Sequence, residues 1–328
     1  MLLYYNNHKT NYAGDSRNPY WLAAGHEVPG GAVLWSQPEI ALYDGLDAAD
    51  RPGYPDFIEH LSKDDGKHDI YITETQKVVA RIHLVPRDLL SGLFSQRTAN
   101  SIPAGGKQLS APNVPASIET PAFPAFKDGE AAQKLGFAIV AVLDNHKASA
   151  MGDVIMSSLA EHGKRANKKM VEADGGAVPA GDVTEGSSSS SGDGGAKPTA
   201  HGVEVKVGAN NSIAVTFGDG SSAATMATDT LCTAVLNRPG NHFWAVVADG
   251  GARIITMMVD GVLCDGGGFE DQGWSWFDPI QASVQGNTKM QISPSYTGGK
   301  LLHASIYTRR LSTSELVGSY RAMMLVGG

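Results

Sequence analysis

The chain has 328 residues, enough for two hydrophobic cores, because single cores usually stop growing at about 250 residues. Its 26 basic side chains are outnumbered by 34 acidic ones, which gives a net charge of −8. This balance argues against nucleic acid as a partner, since phosphate binding relies on a basic footprint. No run approaches the roughly 18 apolar residues of a membrane span, and the first residues lack the pattern of an export signal.

Short apolar runs separated by Gly, Asp, Asn and Pro turns predict an all-β chain. The clearest predicted strands cover residues 33–35, 70–72, 137–143 and 254–259. Two short helices are also predicted, over residues 87–94 and residues 314–324. Ser312 and Glu315 have the spacing of a capping box at the start of the second helix, where hydroxyl and carboxylate satisfy backbone N–H groups.

The composition predicts two domains, 1–97 and 131–328, joined by a Pro- and Ala-rich extended connector over residues 98–130. The Gly- and Ser-rich stretch 173–196 predicts a disordered insertion within the second domain, because it contains too little apolar surface to order itself.

The two cysteines, Cys232 and Cys264, lie in segments that we interpret as strands. We expect buried free thiols, with one disulfide as the alternative, since spacing alone does not fix how close two strands lie.

The C-terminal half contains two predicted hairpins within residues 241–265, with turns at Asp249-Gly250-Gly251 and Asp260-Gly261 that supply positive-φ residues. A further strand over residues 300–307 precedes the final helix. This order resembles the concanavalin-A-like, laminin-G-like lectin fold. The positions that match its pattern are Trp244, Asp260, Gly261, Ile306, Tyr307, Arg309, Leu311, Ser312 and Glu315.

The resemblance implies a two-sheet jelly roll of a kind that often holds glycans or calcium, although a fold alone does not define a ligand. Trp274 and Trp276 are the candidate sugar-stacking platform, beside Glu270 and Asp271. The alternative is that strand alternation buries the two rings in the core. No cofactor and no metal-binding run is recognised, while Ca²⁺ in the lectin-like domain stays open.

Four motifs of the N-terminal part, at residues 17–22, 34–39, 53–59 and 70–75, together resemble the closing blades of exo-sialidases and related sialidase-like β-propellers. The resemblance implies that Arg17 is an arginine of the clamp for the substrate carboxylate. It also implies that Tyr54 is the nucleophile, although Pro55 departs from the pattern, and that Glu74 steadies the clamp. Sialidases use a tyrosine because a neutral phenol avoids repulsion with an anionic substrate.

Each of these residues also has a structural interpretation. Arg17 is equally compatible with a surface salt bridge, and Tyr54 with a structural tyrosine held extended by the following proline. Glu74, on an alternating strand, is compatible with facing water. Glu39 is a further carboxylate for the predicted pocket.

The N-terminal part has too few strands for a complete propeller. It also lacks the other clamp arginines, the general acid and a full Asp-box, the nearest match being residues 62–66. The sequence therefore predicts the C-terminal part of a sialidase-like exoglycosidase with an appended glycan-binding domain, inactive alone. The alternatives are a non-catalytic glycan-binding or adhesion module and a structural remnant without a ligand. A secreted or cell-surface location is what the resemblance implies.

Overall fold

The computed structural model describes most of the chain. The described residues are 1–5, 18–43, 53–76, 79–126, 135–145, 151–160, 200–264, 274–277, 280 and 282–325. Within them the chain is predominantly β, with several antiparallel sheets, which confirms the predicted all-β class. None of the helices in these ranges combines the length and apolar character needed to cross a membrane. The predicted insertion at 173–196 lies outside the described residues.

The N-terminal module comprises eight strands and one helix. These elements are β1 (Leu2–Tyr5), β2 (Tyr20–Ala23), β3 (Gly25–Glu27), β4 (Val33–Trp35), β5 (Glu39–Leu42), β6 (Asp56–Leu61), β7 (His68–Gln76), β8 (Val79–Leu84) and α1 (Arg87–Ser95). They form a three-stranded sheet of order β1-β2-β5, a β3-β4 hairpin and a second three-stranded sheet of order β6-β7-β8. Helix α1 begins directly after Pro86, as predicted, since proline is tolerated at a helix start.

The core of the N-terminal module is small and lies between its two three-stranded sheets and α1. Leu22 and Ile72 contribute from the centres of the two sheets, and Leu93 contributes from the helix. Each sheet is too narrow to bury an apolar face by itself, so the shared core joins the sheets into one unit.

The second part of the chain forms a two-sheet sandwich with two helices. Its elements are β9 (Lys107–Ser110), β10 (Ser117–Glu119), β11 (Gly136–Asn145), β12 (Val154–Ser157), β13 (His201–Val207), β14 (Ile213–Asp219), β15 (Ala223–Ala227), α2 (Thr230–Leu236), β16 (Gly240–Asp249), β17 (Ile254–Val259), β18 (Val262–Leu263), β19 (Trp274–Trp276), β20 (Lys289–Ile292), β21 (Ser295–Tyr296), β22 (Gly299–Tyr307) and α3 (Thr313–Tyr320). The six-stranded outer sheet has the order β10-β20-β12-β13-β14-β15. The eight-stranded inner sheet has the order β18-β17-β16-β11-β22-β21, with β19 beside β17 and β9 beside β22.

Strand β11 is buried on both faces, which explains its nearly continuous apolar sequence. Phe137 and Ile139 point into the core shared by the two sheets, whereas Ala138 and Val140 pack under α3. The predicted capping box at the start of α3 is confirmed, because the Ser312 side chain accepts from the Glu315 N–H and the Glu315 carboxylate accepts from the Ser312 N–H.

The prediction of an extended connector over residues 98–130 is wrong in part. Strand β9 pairs with β22 and strand β10 pairs with β20, so this segment contributes to both sheets of the sandwich. Composition did not reveal these strands, since tertiary pairing overrides local propensity.

One of the two predicted hairpin turns forms as expected. Asp260 and Gly261 both adopt positive φ, of 47° and 79°. In the other turn the positive φ occurs at Arg253 rather than at Gly250 or Gly251. There the Asp249 carboxylate accepts from the Gly251 N–H at 2.9 Å, which holds the turn without using the freedom of the glycines.

The expectation of free thiols is wrong, because Cys232 and Cys264 form a disulfide with a Cα–Cα distance of 6.0 Å. The interpretation of both cysteines as strand residues is also wrong, because Cys232 lies in α2 and Cys264 directly follows β18. Asp229 caps this helix by accepting from the Cys232 N–H at 2.7 Å, and this cap positions the sulfur against the end of β18.

Candidate functional site

The candidate site lies on the β6-β7-β8 sheet, where Glu74 of β7 is directly opposite Arg81 of β8. Ile72 of the same strand faces the core, and residues two apart on a strand share a face. Glu74 therefore points inward and is only 3% exposed, which contradicts the alternative that it faces water.

The Glu74 carboxylate organises two cationic or potentially cationic side chains. Its Oε1 accepts from the Arg81 Nη1 at 2.9 Å and lies 3.3 Å from the His83 Nε2. Its Oε2 is buried and has no hydrogen-bond partner in the part of the chain that the structure describes. A buried carboxylate oxygen without a donor is costly, so this atom marks a place where a further donor would be stabilising.

Arg81 and His83 remain accessible while they contact the buried carboxylate. Their side chains are 42% and 37% exposed. A guanidinium is a planar fork that binds carboxylates at two points. The Glu74 centre, defined as Glu74, Arg81 and His83, therefore presents an accessible guanidinium and an accessible imidazole beside one buried carboxylate.

The backbone that precedes Tyr54 pairs with the end of β7, the strand that carries Glu74. The Thr75 N–H donates to the Gly53 carbonyl at 2.7 Å, which fixes the Tyr54 segment against the end of β7. The expectation that Pro55 holds Tyr54 extended is wrong, because its φ is +45°. Positive φ at a bulky residue is strained, and such strain is concentrated at functional sites. Tyr54 is 77% exposed.

Arg17, the predicted clamp arginine, lies outside the described residues. Sequence reasoning missed Arg81 and His83, although a signal was present. The short β7–β8 hairpin pairs Glu74 with Arg81, and strand alternation then places His83 on the same face.

Glu39 does not belong to the predicted pocket. Its two carboxylate oxygens accept from the backbone N–H groups of Ser314 and Thr313 at 2.7 and 3.0 Å, which caps helix α3 of the sandwich. Burial raises the pKa of Glu39 above its ordinary value, and these hydrogen bonds oppose the rise. The carboxylate therefore attaches the N-terminal module to the sandwich.

The prediction of an exposed tryptophan platform is wrong. Trp274 and Trp276 are 2% and 6% exposed, so the alternative of buried rings holds. Trp274 makes an edge-to-face contact with Trp21 of the N-terminal module at a centroid distance of 5.7 Å. Both rings therefore contribute packing area between the two parts of the molecule.

Among the described residues, one group of metal-ligand type lies close enough to share an ion. It consists of Asp229, Cys232 and Cys264, whose ligand atoms lie within 4.8 Å of one another. Because the two sulfurs form the disulfide and the carboxylate caps α2, the proximity is explained without an ion.

No protein-family model and no curated protein sequence matches the chain. Among solved structures, it is similar to a Ruminococcus gnavus IT-sialidase CBM40 bound to α2,3-sialyllactose, with 11% identity, a TM-score of 0.34 and coverage of 65% of this chain and 94% of that one. A Trypanosoma rangeli sialidase in complex with 2,3-difluorosialic acid has 12% identity, a TM-score of 0.35 and coverage of 98% and 55%. A leech intramolecular trans-sialidase has 11% identity, a TM-score of 0.29 and coverage of 67% and 28%. The chain thus spans about half the length of the T. rangeli sialidase.

Proposed function

We propose that the chain binds an anionic, sialic-acid-type sugar through the Glu74 centre, as one wall of a sialidase-like site. The observation that carries this proposal is the buried Glu74 carboxylate, which holds the accessible Arg81 and His83 side chains on one face. The fixed position of the Arg81 guanidinium lowers the ordering cost of binding a sugar carboxylate.

Tyr54 is the residue that we propose as the nucleophile of a complete site. A tyrosine nucleophile needs a base to take its proton, and the leaving group needs a general acid. Such chemistry uses an enclosed pocket from which water is excluded, whereas Tyr54 is exposed to solvent in this chain. We therefore propose binding without turnover for this chain alone.

The proposal extends to the architecture and the compartment. We assign the N-terminal module to sialidase-like propeller blades and the sandwich to the laminin-G-like jelly roll. The matched Trp244 and Tyr307 lie on β16 and β22 of the inner sheet, which supports this assignment. The disulfide supports a secreted or cell-surface location, since such bonds persist in oxidising compartments.

Calorimetric titration with α2,3-sialyllactose and with lactose tests the proposed function. We expect binding of the sialylated sugar alone, weakened about tenfold or more in Arg81→Gln, because a charge-assisted hydrogen bond contributes about 1.5–3 kcal/mol. Lys63→Gln, at an exposed position in the turn between β6 and β7, is the matched control. Equal affinities for both sugars, or an unaffected Arg81→Gln variant, would contradict the carboxylate assignment, and turnover of a chromogenic sialoside would contradict inactivity.

A second candidate function, glycan binding by the sandwich without catalysis, is favoured by a row of polar side chains on the outer sheet. Strand registers place one such residue on each of the six strands, in the order Ser117, Gln291, Ser157, Glu204, Thr216 and Thr225. Neighbouring strands lie about 4.8 Å apart, close to the length of one pyranose ring. The Thr216 and Thr225 hydroxyls bond to each other at 2.9 Å.

A glycan array separates these possibilities. Binding that is lost in Thr216→Val and Glu204→Gln but kept in Arg81→Gln would assign glycan recognition to the outer sheet. Binding that is lost only in Arg81→Gln supports the Glu74 centre. If the chain binds no glycan on the array, the result agrees with the remaining alternative from the sequence, a structural remnant without a ligand.

A further inference from the structure

A cavity of about 580 Å³ lies between the N-terminal module and the sandwich, away from the Glu74 centre. One wall is formed by β5, α1 and the following segment to Pro103, and the other by residues 309–318. Its volume falls in the range of about 300–1,000 Å³ that is typical of small-molecule pockets, which occur preferentially where two structural units meet.

The walls of this cavity are fixed by hydrogen bonds that cross the junction. The Glu39 carboxylate caps α3, as described above. The Gln96 amide donates across the junction to the Ser314 hydroxyl at 3.0 Å, and it is held by a second bond to the Gln37 carbonyl of its own module at 2.9 Å. Gly92 of α1 approaches Ser314 so closely that an added Cβ would lie 3.1 Å from its side chain. The cavity is therefore preorganised.

The two arginines on the walls have carboxylate partners within the protein, whereas the Asp88 carboxylate, which also lines the cavity, accepts from the Leu89 N–H at 3.0 Å. Arg309 makes a two-point contact with Glu315, at 2.8 and 3.1 Å. Arg310 contacts the Asp249 carboxylate at 2.9 Å, and its side chain remains half-exposed. Since both arginine charges are already paired, the cavity does not require an anionic ligand for their neutralisation.

The remaining lining combines apolar side chains with hydroxyl groups. Ile40, Leu89 and Pro103 offer apolar surface, and Ser95 and Ser101 offer hydroxyls. A neutral sugar has the same mixed chemistry, with apolar C–H faces and a rim of hydroxyl groups. Sites of this kind combine apolar walls with a few polar groups that set orientation.

We propose that the junction cavity binds a neutral pyranose sugar. Its C–H face packs against Ile40, Leu89 and Pro103, and its hydroxyls bond to Ser101 and the exposed part of the Arg310 guanidinium. This site is independent of the proposed function, because the Glu74 centre selects an anionic sugar and belongs to the β6-β7-β8 sheet.

Saturation-transfer NMR with glucose, galactose, mannose, N-acetylglucosamine and N-acetylgalactosamine tests this inference on the full chain. We expect at least one sugar to bind, and we expect Ser101→Trp to weaken it at least tenfold by filling the cavity. Ile102→Trp is the matched control, since the exposed Ile102 is adjacent in sequence and does not line the cavity.

Ala99→Trp is a second cavity-filling variant, and a thermal melt of each variant shows which of them retains the fold. Arg81→Gln should bind the neutral sugar as the wild type does, which separates this site from the Glu74 centre. The proposal is overturned if none of the five sugars binds, or if the folded cavity-filling variants bind as well as Ile102→Trp.

Discussion

The sandwich and the N-terminal module bury their apolar residues to very different extents. In the sandwich, two broad sheets enclose one large core, and α3 covers the outer face of the inner sheet. In the N-terminal module, the face of the β6-β7-β8 sheet opposite Glu74 leaves Ile58, Ile82 and Leu84 exposed. The sandwich is therefore the stable platform, whereas the small module depends on docking to it.

The contacts between the N-terminal module and the sandwich include hydrogen bonds as well as apolar packing. The Leu263 N–H donates to the Gln37 side-chain oxygen at 2.9 Å, beside the Trp21–Trp274 contact. Together with the Glu39 cap, these contacts fix the module on the sandwich. They also hold the sheet that carries the Glu74 centre, so the stability of the sandwich supports the proposed chemistry of the module.

Replacing Trp274 with alanine should have the largest effect on this arrangement. We expect a loss of about 3–5 kcal/mol in the free energy of unfolding, because a buried aromatic ring is removed. Urea denaturation measures it. Ile82→Ala, at an exposed position of the module, should cost less than about 0.5 kcal/mol. Similar losses in the two variants would contradict the contrast between docked and exposed residues.

Removing the disulfide should cause the second-largest loss in the free energy of unfolding. The Cys232→Ala/Cys264→Ala double variant should lose about 2–4 kcal/mol, because the cross-link no longer restrains the unfolded chain over a separation of 32 residues. Thermal melts with and without reductant test this role. Reductant should lower the melting temperature of the wild type and leave that of the double variant unchanged. An unchanged melt of the wild type after complete reduction, verified by thiol titration, would argue against this role.

Changes at Glu39 should have a smaller effect that depends on pH. Glu39→Ala should cost about 1–3 kcal/mol, because two backbone N–H groups lose their acceptor. Burial raises the pKa of Glu39 in the folded state, so the folded chain holds this proton more tightly than the unfolded chain does. The part of the stability that depends on this proton is complete below the ordinary value of 4.5 and is lost as pH rises through the folded pKa.

Glu39→Gln removes this titration and should flatten the corresponding part of the stability profile. Urea denaturation of both proteins between pH 4 and pH 8 measures the difference. Parallel profiles would show that Glu39 has the same pKa in the folded and unfolded chains.

The sequence was most informative where local chemistry decides the structure. Pro86 and the Ser312–Glu315 capping box indicated α1 and α3, and apolar runs such as 254–259 indicated strands. It was least informative where distant segments meet. The docking of Trp21 on Trp274, the capping of α3 by Glu39, and the disulfide depend on tertiary contacts that residue type and spacing do not encode.

The candidate site also has one part that the sequence predicted and another part that depends on tertiary contacts. Motif order selected Tyr54 and Glu74, but it did not reveal that Glu74 is buried against Arg81 and His83, because this depends on the pairing of β7 with β8 and on the core beneath.

¹H–¹⁵N NMR of the labelled chain, titrated with α2,3-sialyllactose, locates the bound sugar residue by residue. If an anionic sugar binds at the Glu74 centre, as proposed, saturable shifts cluster at residues 74, 81 and 83. Shifts confined to residues 204, 216 and 225 of the outer sheet, or the absence of any shift, would contradict the proposal.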